Sequence, residues 1–398
     1  MSKKRRSSVM NRTPSAPTVL SMFAGCGGMD LGFREAGFRL VWANEWNADA
    51  ARTYRRNLCD SSADHMHEGD IKEQRIPTEF AGKLDVLLGG FPCQAFSNAG
   101  SRRGVKDHRG LLYKHCIRYA YELRPKFVMF ENVRGMLTIQ GRKRRFVEEV
   151  CDELVEAGYE VHLGLVNAAH YAVPQNRLRV VIVGVRKGAR RSLEFRFPPH
   201  ERGAQLMLGA VLDGLCANVV NQADVMRLNP QAYEIGKWVP EGGSWKDIAD
   251  EHLPERLLRI RREIRRYRWP NFYRRFSRRE IAGTITAAFK PENAGVWHPT
   301  ECRTFSVREV ARIQSFPDDF VFEAKTVKAM YQMIGNAVPP KLAQSFALAI
   351  KAALAGSTDV MPIGSYRELQ RRGGIIRVST GELYYKPADE PKDLLLHG

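Results

Sequence analysis

The stretch LDVLLGGFPCQAFSNAG, residues 84–100, opens as a short apolar run, stops at two glycines and turns into a Pro-Cys pair. The run Leu84–Leu88 has the length and composition of a strand buried on both faces. Glycines at its exit predict a close approach of backbone or ligand. Pro92 fixes its own φ and offers no N–H, so the turn that carries Cys93 is stiff. A stiff turn at a strand end is a good mount for a nucleophile. The alternative for Cys93 is a small buried hydrophobe, the common state of a free cysteine.

Outward from this strand, apolar runs alternate with helical stretches between Thr18 and Val185. Strands are expected at 18–23, 40–44, 85–88, 127–131, 160–167 and 179–185, and helices at 46–58, 111–123 and 145–157. This alternation predicts an α/β fold, doubly wound around a mostly parallel sheet, with ligands at the carboxyl ends of the strands. After Phe197-Pro-Pro199 the alternation fades and residues 200–325 read as a smaller module. Helical patterns return at 307–315 and at 339–355, the latter with a proline start and a glycine stop. The expected organisation is a basic arm at 1–16, a catalytic domain at 17–199, the small domain at 200–325, a segment returning to the catalytic domain at 326–356, and a polar, loosely attached tail at 357–398.

The 398-residue chain carries 62 Lys and Arg against 44 Asp and Glu, a net charge of +18. Such an excess points to a polyanionic partner. It is concentrated in residues 255–280, with eleven arginines against three glutamates and with Tyr267, Trp269, Phe272, Tyr273 and Phe276 interleaved. Arginines grip phosphates and reach base edges, and aromatics stack on bases, so nucleic acid is the expected partner. The other reading, a solvated helix with paired charges, lacks the acids to pair with. No apolar run is long enough for a membrane helix, and the basic N-terminus lacks the apolar core of a signal peptide. The seven scattered cysteines form no C-x-x-C pair, which indicates neither a metal site nor a disulfide framework and suits the cytoplasm.

Two groups of residues carry chemistry. The first strand runs into SMFAGCGGMDLGF, residues 21–33, where Asp30 stands at the place of the third glycine of a dinucleotide fingerprint. A pyrophosphate cradle is therefore disfavoured, yet the glycine turn still brings backbone close to a ligand. Glu45 at the second strand's end is placed to accept ribose hydroxyls, and Glu68-Gly-Asp-Ile71 offers an acid and an apolar side chain to an adenine. Each piece alone could be an ordinary turn or cap. The second group is Glu131 in FENV, with Arg177 and Arg179 two residues apart on one strand face. Together with Cys93 they bring a thiol, a carboxylic acid and guanidinium groups to one sheet edge. A strand-end salt bridge and exposed edge charges are the plainer alternatives.

With these motifs in hand, the sequence resembles the cytosine carbon-5 DNA methyltransferases. The resemblance runs from about Val19 to Pro340 and rests on FAGCGGMDLGF, NEW, EGDI, GGFPCQAFS, RGLL, FENV, QNRLR, REVARIQSFPDDF and GNAVPP in the family's order. It implies a Rossmann-like S-adenosylmethionine-dependent methyltransferase fold, with residues 200–325 as the target-recognition domain. It implies Cys93 as nucleophile, Glu131 as acid, and Arg177 and Arg179 as their partners. S-adenosylmethionine would meet Phe23, Gly25, Gly27, Glu45, Trp46, Asp70, Ile71, Pro92, Leu112 and Asn336. Double-stranded DNA would meet Gln94, Ser97, Arg102, Arg103, Asn132, Gln175, Arg274 and Arg275, with residues 97–104 closing over a flipped base.

The residue types suit that chemistry. Carbon 5 of cytosine becomes nucleophilic only after a thiolate adds at carbon 6, and cysteine forms a thiolate near neutral pH. A neutral acid at ring nitrogen 3 lowers the barrier, which calls for a buried Glu131. A base inside a duplex is shielded by its neighbours, so the target must swing out. Rival readings are a transfer-RNA methyltransferase, a catalytically dead DNA-binding relative and a dinucleotide-linked oxidoreductase. A cytoplasmic, nucleoid-associated monomer with a restriction endonuclease as functional partner completes the expectation.

Overall fold

The computed structural model describes residues 16–60, 62–92, 111–139, 141, 145–188, 193–199, 206–263, 272–288 and 296–356, and the backbone of 376–377 and 382–383. The expectations for Cys93, Gln94, Ser97, Arg102 and Arg103, for the loop 97–104, for the arm before residue 16 and for residues 264–271 lie outside the described residues.

The sheet is built from β1 (Thr18–Met22), β2 (Arg39–Glu45), β3 (Met66–Glu68), β4 (Val86–Gly89), β5 (Phe127–Val133), β6 (Tyr159–Asn167), β7 (Leu178–Arg186), β8 (Ile376–Arg377) and β9 (Glu382–Leu383). Their order is β3-β2-β1-β4-β5-β7-β6-β8-β9. Strands β1 to β5 run parallel, and β7 lies antiparallel between β5 and β6. The chain winds from β1 to β2 and β3 on one side and then returns to β4 and β5 on the other. This leaves the carboxyl ends of β1 and β4 as neighbours at the reversal, where open α/β sheets bind ligands. The six expected strands are all present, each within two residues of its expected ends; β3, three residues long with two of them exposed, has too little apolar pattern to be read from sequence.

The helices are α1 (Gly28–Glu35), α2 (Ala48–Leu58), α3 (Tyr113–Leu123), α4 (Phe146–Glu156), α5 (Leu208–Leu212), α6 (Pro230–Gly236), α7 (Glu255–Glu263), α8 (Val307–Ile313), α9 (Val327–Asn336) and α10 (Pro340–Ala355). Helices α3 and α4 cover one sheet face, where Tyr119, Leu123, Val150 and Leu154 meet Leu87, Val128 and Val180. Helices α1 and α10 cover the other through Phe33, Leu342, Phe346 and Ile350. Each of these large side chains contributes about 2 kcal/mol by leaving water. Two glycines in α1 serve this contact and not a ligand. A Cβ on Gly32 would stand 2.4 Å from Pro340 O, and one on Gly28 2.4 Å from Val338 O.

The small module has its own core of Ile235, Trp245, Leu257, Tyr273 and Trp297. Between the two bodies the core is continuous, for Tyr54 and Leu58 of α2 share a cluster with Phe276, Ile285, Phe305, Phe316 and Ile334. The tail differs from expectation: β8 pairs with β6 at Gly164↔Ile376 and Leu165↔Arg377, so it covers a sheet edge that would otherwise present open N–H and C=O groups. Among the described residues no helix is long and apolar enough to cross a membrane.

Candidate active site

The exit of β4 is held by the exits of β1 and β5. Gly90 N donates to Met22 O at 3.3 Å, and Asn132 Nδ2 donates to Phe91 O at 3.1 Å. The Phe91 ring meets Phe130 edge-on at 5.7 Å. These contacts pin the two residues that precede Pro92. Asn132 was expected on substrate; it is buried, and its Oδ1 accepts Val133 N at 2.8 Å, so it braces the turn.

Glu131 follows on the same β5 exit and is 8% exposed. In the antiparallel β5–β7 register, Val133 faces Arg179 and Glu131 faces Val181. Glu131 and Arg179 are therefore diagonal neighbours on one face, with Arg179 Nε 2.9 Å from Glu131 Oε1. Burial pulls the Arg179 guanidinium down from its ordinary pKa, and the Glu131 carboxylate opposes that shift.

Arg177 has a different task. It is 1% exposed, and its Nη1 donates to Ile285 O at 2.8 Å while Nη2 donates to Gly335 O and Ala337 O, both at 3.0 Å. One guanidinium thus ties the start of β7 to the small module and to the end of α9. Burial first, and then the like charge of Arg179, pull its pKa well down. Gln175 is fully buried: its Oε1 accepts Ile285 N at 2.9 Å and its Nε2 donates to Gln314 Oε1 at 2.9 Å. Gln314 in turn donates to Ile334 O at 2.7 Å. The expectation that Gln175 meets DNA gives way to a role as a buried staple between α8, β7 and residue 285. Gln314 was missed as a site residue although it stands inside the REVARIQSFPDDF motif.

Two residues expected to meet DNA have partners within the protein. Arg275 is 4% exposed, and its two Nη atoms donate to the carbonyls of His298, Pro299, Glu301 and Gly236. Arg274 grips both Glu280 oxygens at 2.9 Å and donates to Arg275 O at 2.6 Å.

At the end of β1 the chain makes a left-handed turn, with φ of 57° at Phe23, 58° at Gly25 and 91° at Gly27. A non-glycine residue in that region stores about 1–3 kcal/mol of strain, which persists where a ligand site needs it. A Cβ on Gly25 would meet nothing within 4 Å, so open space adjoins this backbone. Glu45 clasps the turn: Oε2 accepts Gly25 N and Oε1 accepts Asn47 N, both at 2.9 Å. Burial raises the Glu45 pKa, and the backbone amides of Asn47, Gly25 and Trp46 oppose the shift. Each carboxylate oxygen keeps a second lone pair for a ribose hydroxyl. Trp46 is 73% exposed beside the clasp. Asn44 Nδ2 donates to His67 O at 2.8 Å and Gly69 O at 3.0 Å, which aims the loop that carries Asp70. Ile71 differs from expectation, being 2% exposed in the core below.

A sequence model of the C-5 cytosine-specific DNA methylases matches residues 18–352. The chain belongs to that family. It is 36% identical over 340 residues to the Type II methyltransferase M.NgoFVII of Neisseria gonorrhoeae, covering 83% of this chain and 86% of that protein. It is also 36% identical over 342 residues to the Type II methyltransferase M.Eco47II of Escherichia coli, with 83% and 77% covered. Among solved structures, a prophage-encoded DNA modification methyltransferase from E. coli superposes with a TM-score of 0.60 at 21% identity, covering 85% of this chain and 100% of the other. The S. pombe Dnmt2 methyltransferase superposes with a TM-score of 0.58 at 17% identity, covering 85% and 99%.

As a C-5 cytosine DNA methyltransferase, the protein uses S-adenosylmethionine as its methyl donor. The donor set at the β1 turn fits a nucleoside of this kind: open space at Gly25, a carboxylate at Glu45, an exposed indole at Trp46 and a half-exposed Asp70 carboxylate. Of the other residues expected to meet the donor, Phe23, Pro92 and Leu112 are half-buried, and Asn336 is exposed at the end of α9.

Proposed function

We propose that this methyltransferase modifies carbon 5 of a flipped-out cytosine in duplex DNA through a transient bond from Cys93, with Glu131 and Arg179 working as a pair. The observation that carries this reading is the 2.9 Å contact of Arg179 with Glu131 on the sheet edge that Phe91 and Pro92 enter. The Cys93 thiolate adds to ring carbon 6, and the displaced electron pair moves toward nitrogen 3, where Glu131 delivers a proton. Carbon 5 of the resulting enamine is then the nucleophile. Arg179 steadies charge on the ring carbonyl and holds the Glu131 carboxyl in place. Bound S-adenosylmethionine supplies the electrophilic methyl group. Loss of the carbon-5 proton to a base and expulsion of Cys93 restore the enzyme.

Residues 200–325 are proposed as the target-recognition domain. Within the described part of the arginine-rich stretch, Arg256 and Arg259 on the outer face of α7 are exposed, and neither forms an ion pair with a described residue. They are proposed to contact phosphates in place of Arg274 and Arg275. A role beside a restriction endonuclease is proposed from the names of the Type II relatives; a monomer in the cytoplasm near the nucleoid belongs to the same proposal.

A duplex with 5-fluorocytosine at the target tests the mechanism, since fluorine cannot leave as a cation and the adduct persists. A band stable in denaturing gels is expected with the native chain and donor, and none with Cys93→Ser. A Cys93→Ser variant that methylates at the native rate overturns the reading.

A further inference from the structure

The left-handed turn after β1 is clasped from one side by Glu45, through the amide of Gly25. A second clasp holds it from the opposite side. The space that a Cβ on Gly27 would enter is already filled, with Leu58 Cδ1 at 2.2 Å and Tyr54 Cδ2 at 2.9 Å. Tyr54 is 0% exposed, on the face of α2 that meets the turn. Its hydroxyl donates to Asp30 Oδ1 at 2.9 Å, and Asp30 Oδ2 accepts Ser21 Oγ at 2.9 Å. The same hydroxyl lies 3.2 Å from His65 Nε2. One ring thereby joins the last turn of β1 through Ser21, the first turn of α1 through Asp30, and the chain entering β3 through His65.

Gly27 needs this support. Its φ of 91° is a conformation that glycine adopts at little steric cost but does not by itself prefer over others. Something outside the turn has to select it. A buried ring on the Cα face, anchored by a charge-assisted hydrogen bond, does so. Tyr54 is too deeply buried to touch a ligand at the Gly25 surface, so any effect on binding runs through the backbone.

We propose that Tyr54 is a positioning residue for the methyl donor: its ring and hydroxyl lock the Gly27 turn in the shape that opens the Gly25 backbone to S-adenosylmethionine. The proposal rests on the reading that this turn is the donor site. Asp30 is the relay, for its two oxygens fix the Tyr54 hydroxyl relative to Ser21 on β1.

The test is equilibrium binding of S-adenosylhomocysteine to the full chain by titration calorimetry without DNA, together with steady-state kinetics. Tyr54→Phe keeps the ring and removes the anchor. It is expected to weaken S-adenosylhomocysteine about fivefold, the effect of one lost buried hydrogen bond. The KM for the donor rises in parallel, while kcat and the Kd for target DNA stay within about twofold. Ser21→Ala, which removes the other bond to Asp30, gives a smaller shift in the same direction and serves if Tyr54→Phe does not fold. Unchanged binding in both folded variants overturns the proposal, as does an equal loss of donor and DNA affinity. Gly25→Val separates the two levels. If it too leaves S-adenosylhomocysteine binding intact, the turn is not the donor site and the underlying reading fails; if it abolishes binding while Tyr54→Phe does nothing, only the role of Tyr54 is lost.

Discussion

Arg179 stands directly opposite Val133 in the antiparallel pairing of β5 with β7, and this offset sets its Nε 2.9 Å from Glu131 Oε1 on the adjoining diagonal. Shifting the register by one residue would turn Arg179 to the other sheet face and leave Glu131 buried without a cation. The ion pair and the catalysis proposed for it therefore depend on the same strand alignment.

Glu131→Gln keeps the shape and removes the acid. Methyl transfer is expected to fall about 10²–10⁴-fold, the usual weight of a positioned proton donor, with the Kd for DNA within about threefold. Because Arg179 is left buried without its carboxylate, stability should drop by about 3 kcal/mol in urea titration. The double variant Glu131→Gln/Arg179→Gln should recover part of that stability and none of the activity. Parallel recovery of both would assign the pair to structure alone.

Arg177→Lys is not conservative here. A single ammonium cannot span Ile285 O on one side and Gly335 O and Ala337 O on the other. A loss of about 2–4 kcal/mol is expected from the stranded carbonyls. Donor KM and DNA Kd should rise together, since the clamp joins the small module to the segment carrying Asn336. A melting curve that matches the native protein would contradict this.

The arginines separate into two classes by partner. Arg256→Gln with Arg259→Gln should lower the slope of log K against log salt by about 1.8, or 0.9 for each phosphate contact released. Arg274→Gln should leave that slope in place and cost stability, because it frees Glu280 and the carbonyl of Arg275. The reverse pattern would move the DNA surface off α7.

Asp30 makes the folded state prefer acid. Burial raises its pKa from 3.8 to about 6, against the hydrogen bonds from Ser21 and Tyr54. Between those values the folded chain holds a proton that the unfolded chain has released, so this group's contribution to stability falls as pH rises. The total change is about 3 kcal/mol at 1.36 kcal/mol per unit. Asp30→Asn removes the window. Measured against the native chain, the variant should therefore gain in relative stability from pH 4 to pH 7, and a flat difference would exclude the effect.

The alternation of apolar strands and helices marked six of the nine strands from the sequence alone, because strands buried on both faces are continuously apolar. The capped ends of α10, proline at its start and Gly356 at its stop, were equally legible. Helix α1 was not, since Gly28 and Gly32 lower its local propensity; contact with α10, which only a missing Cβ allows, overrides that cost. The ordered motifs also marked the residues proposed to carry the chemistry. What they left undecided was the division of work among them. Charge and residue type do not reveal whether a guanidinium meets a phosphate, a carboxylate or three carbonyls, and only the tertiary structure showed that Arg275 and Gln175 are committed inside the protein. Likewise Tyr54 is an ordinary apolar-face residue in the sequence of α2. It gains its place beside the turn after β1 from the packing of α2 on Gly27, a contact between segments that no local pattern encodes.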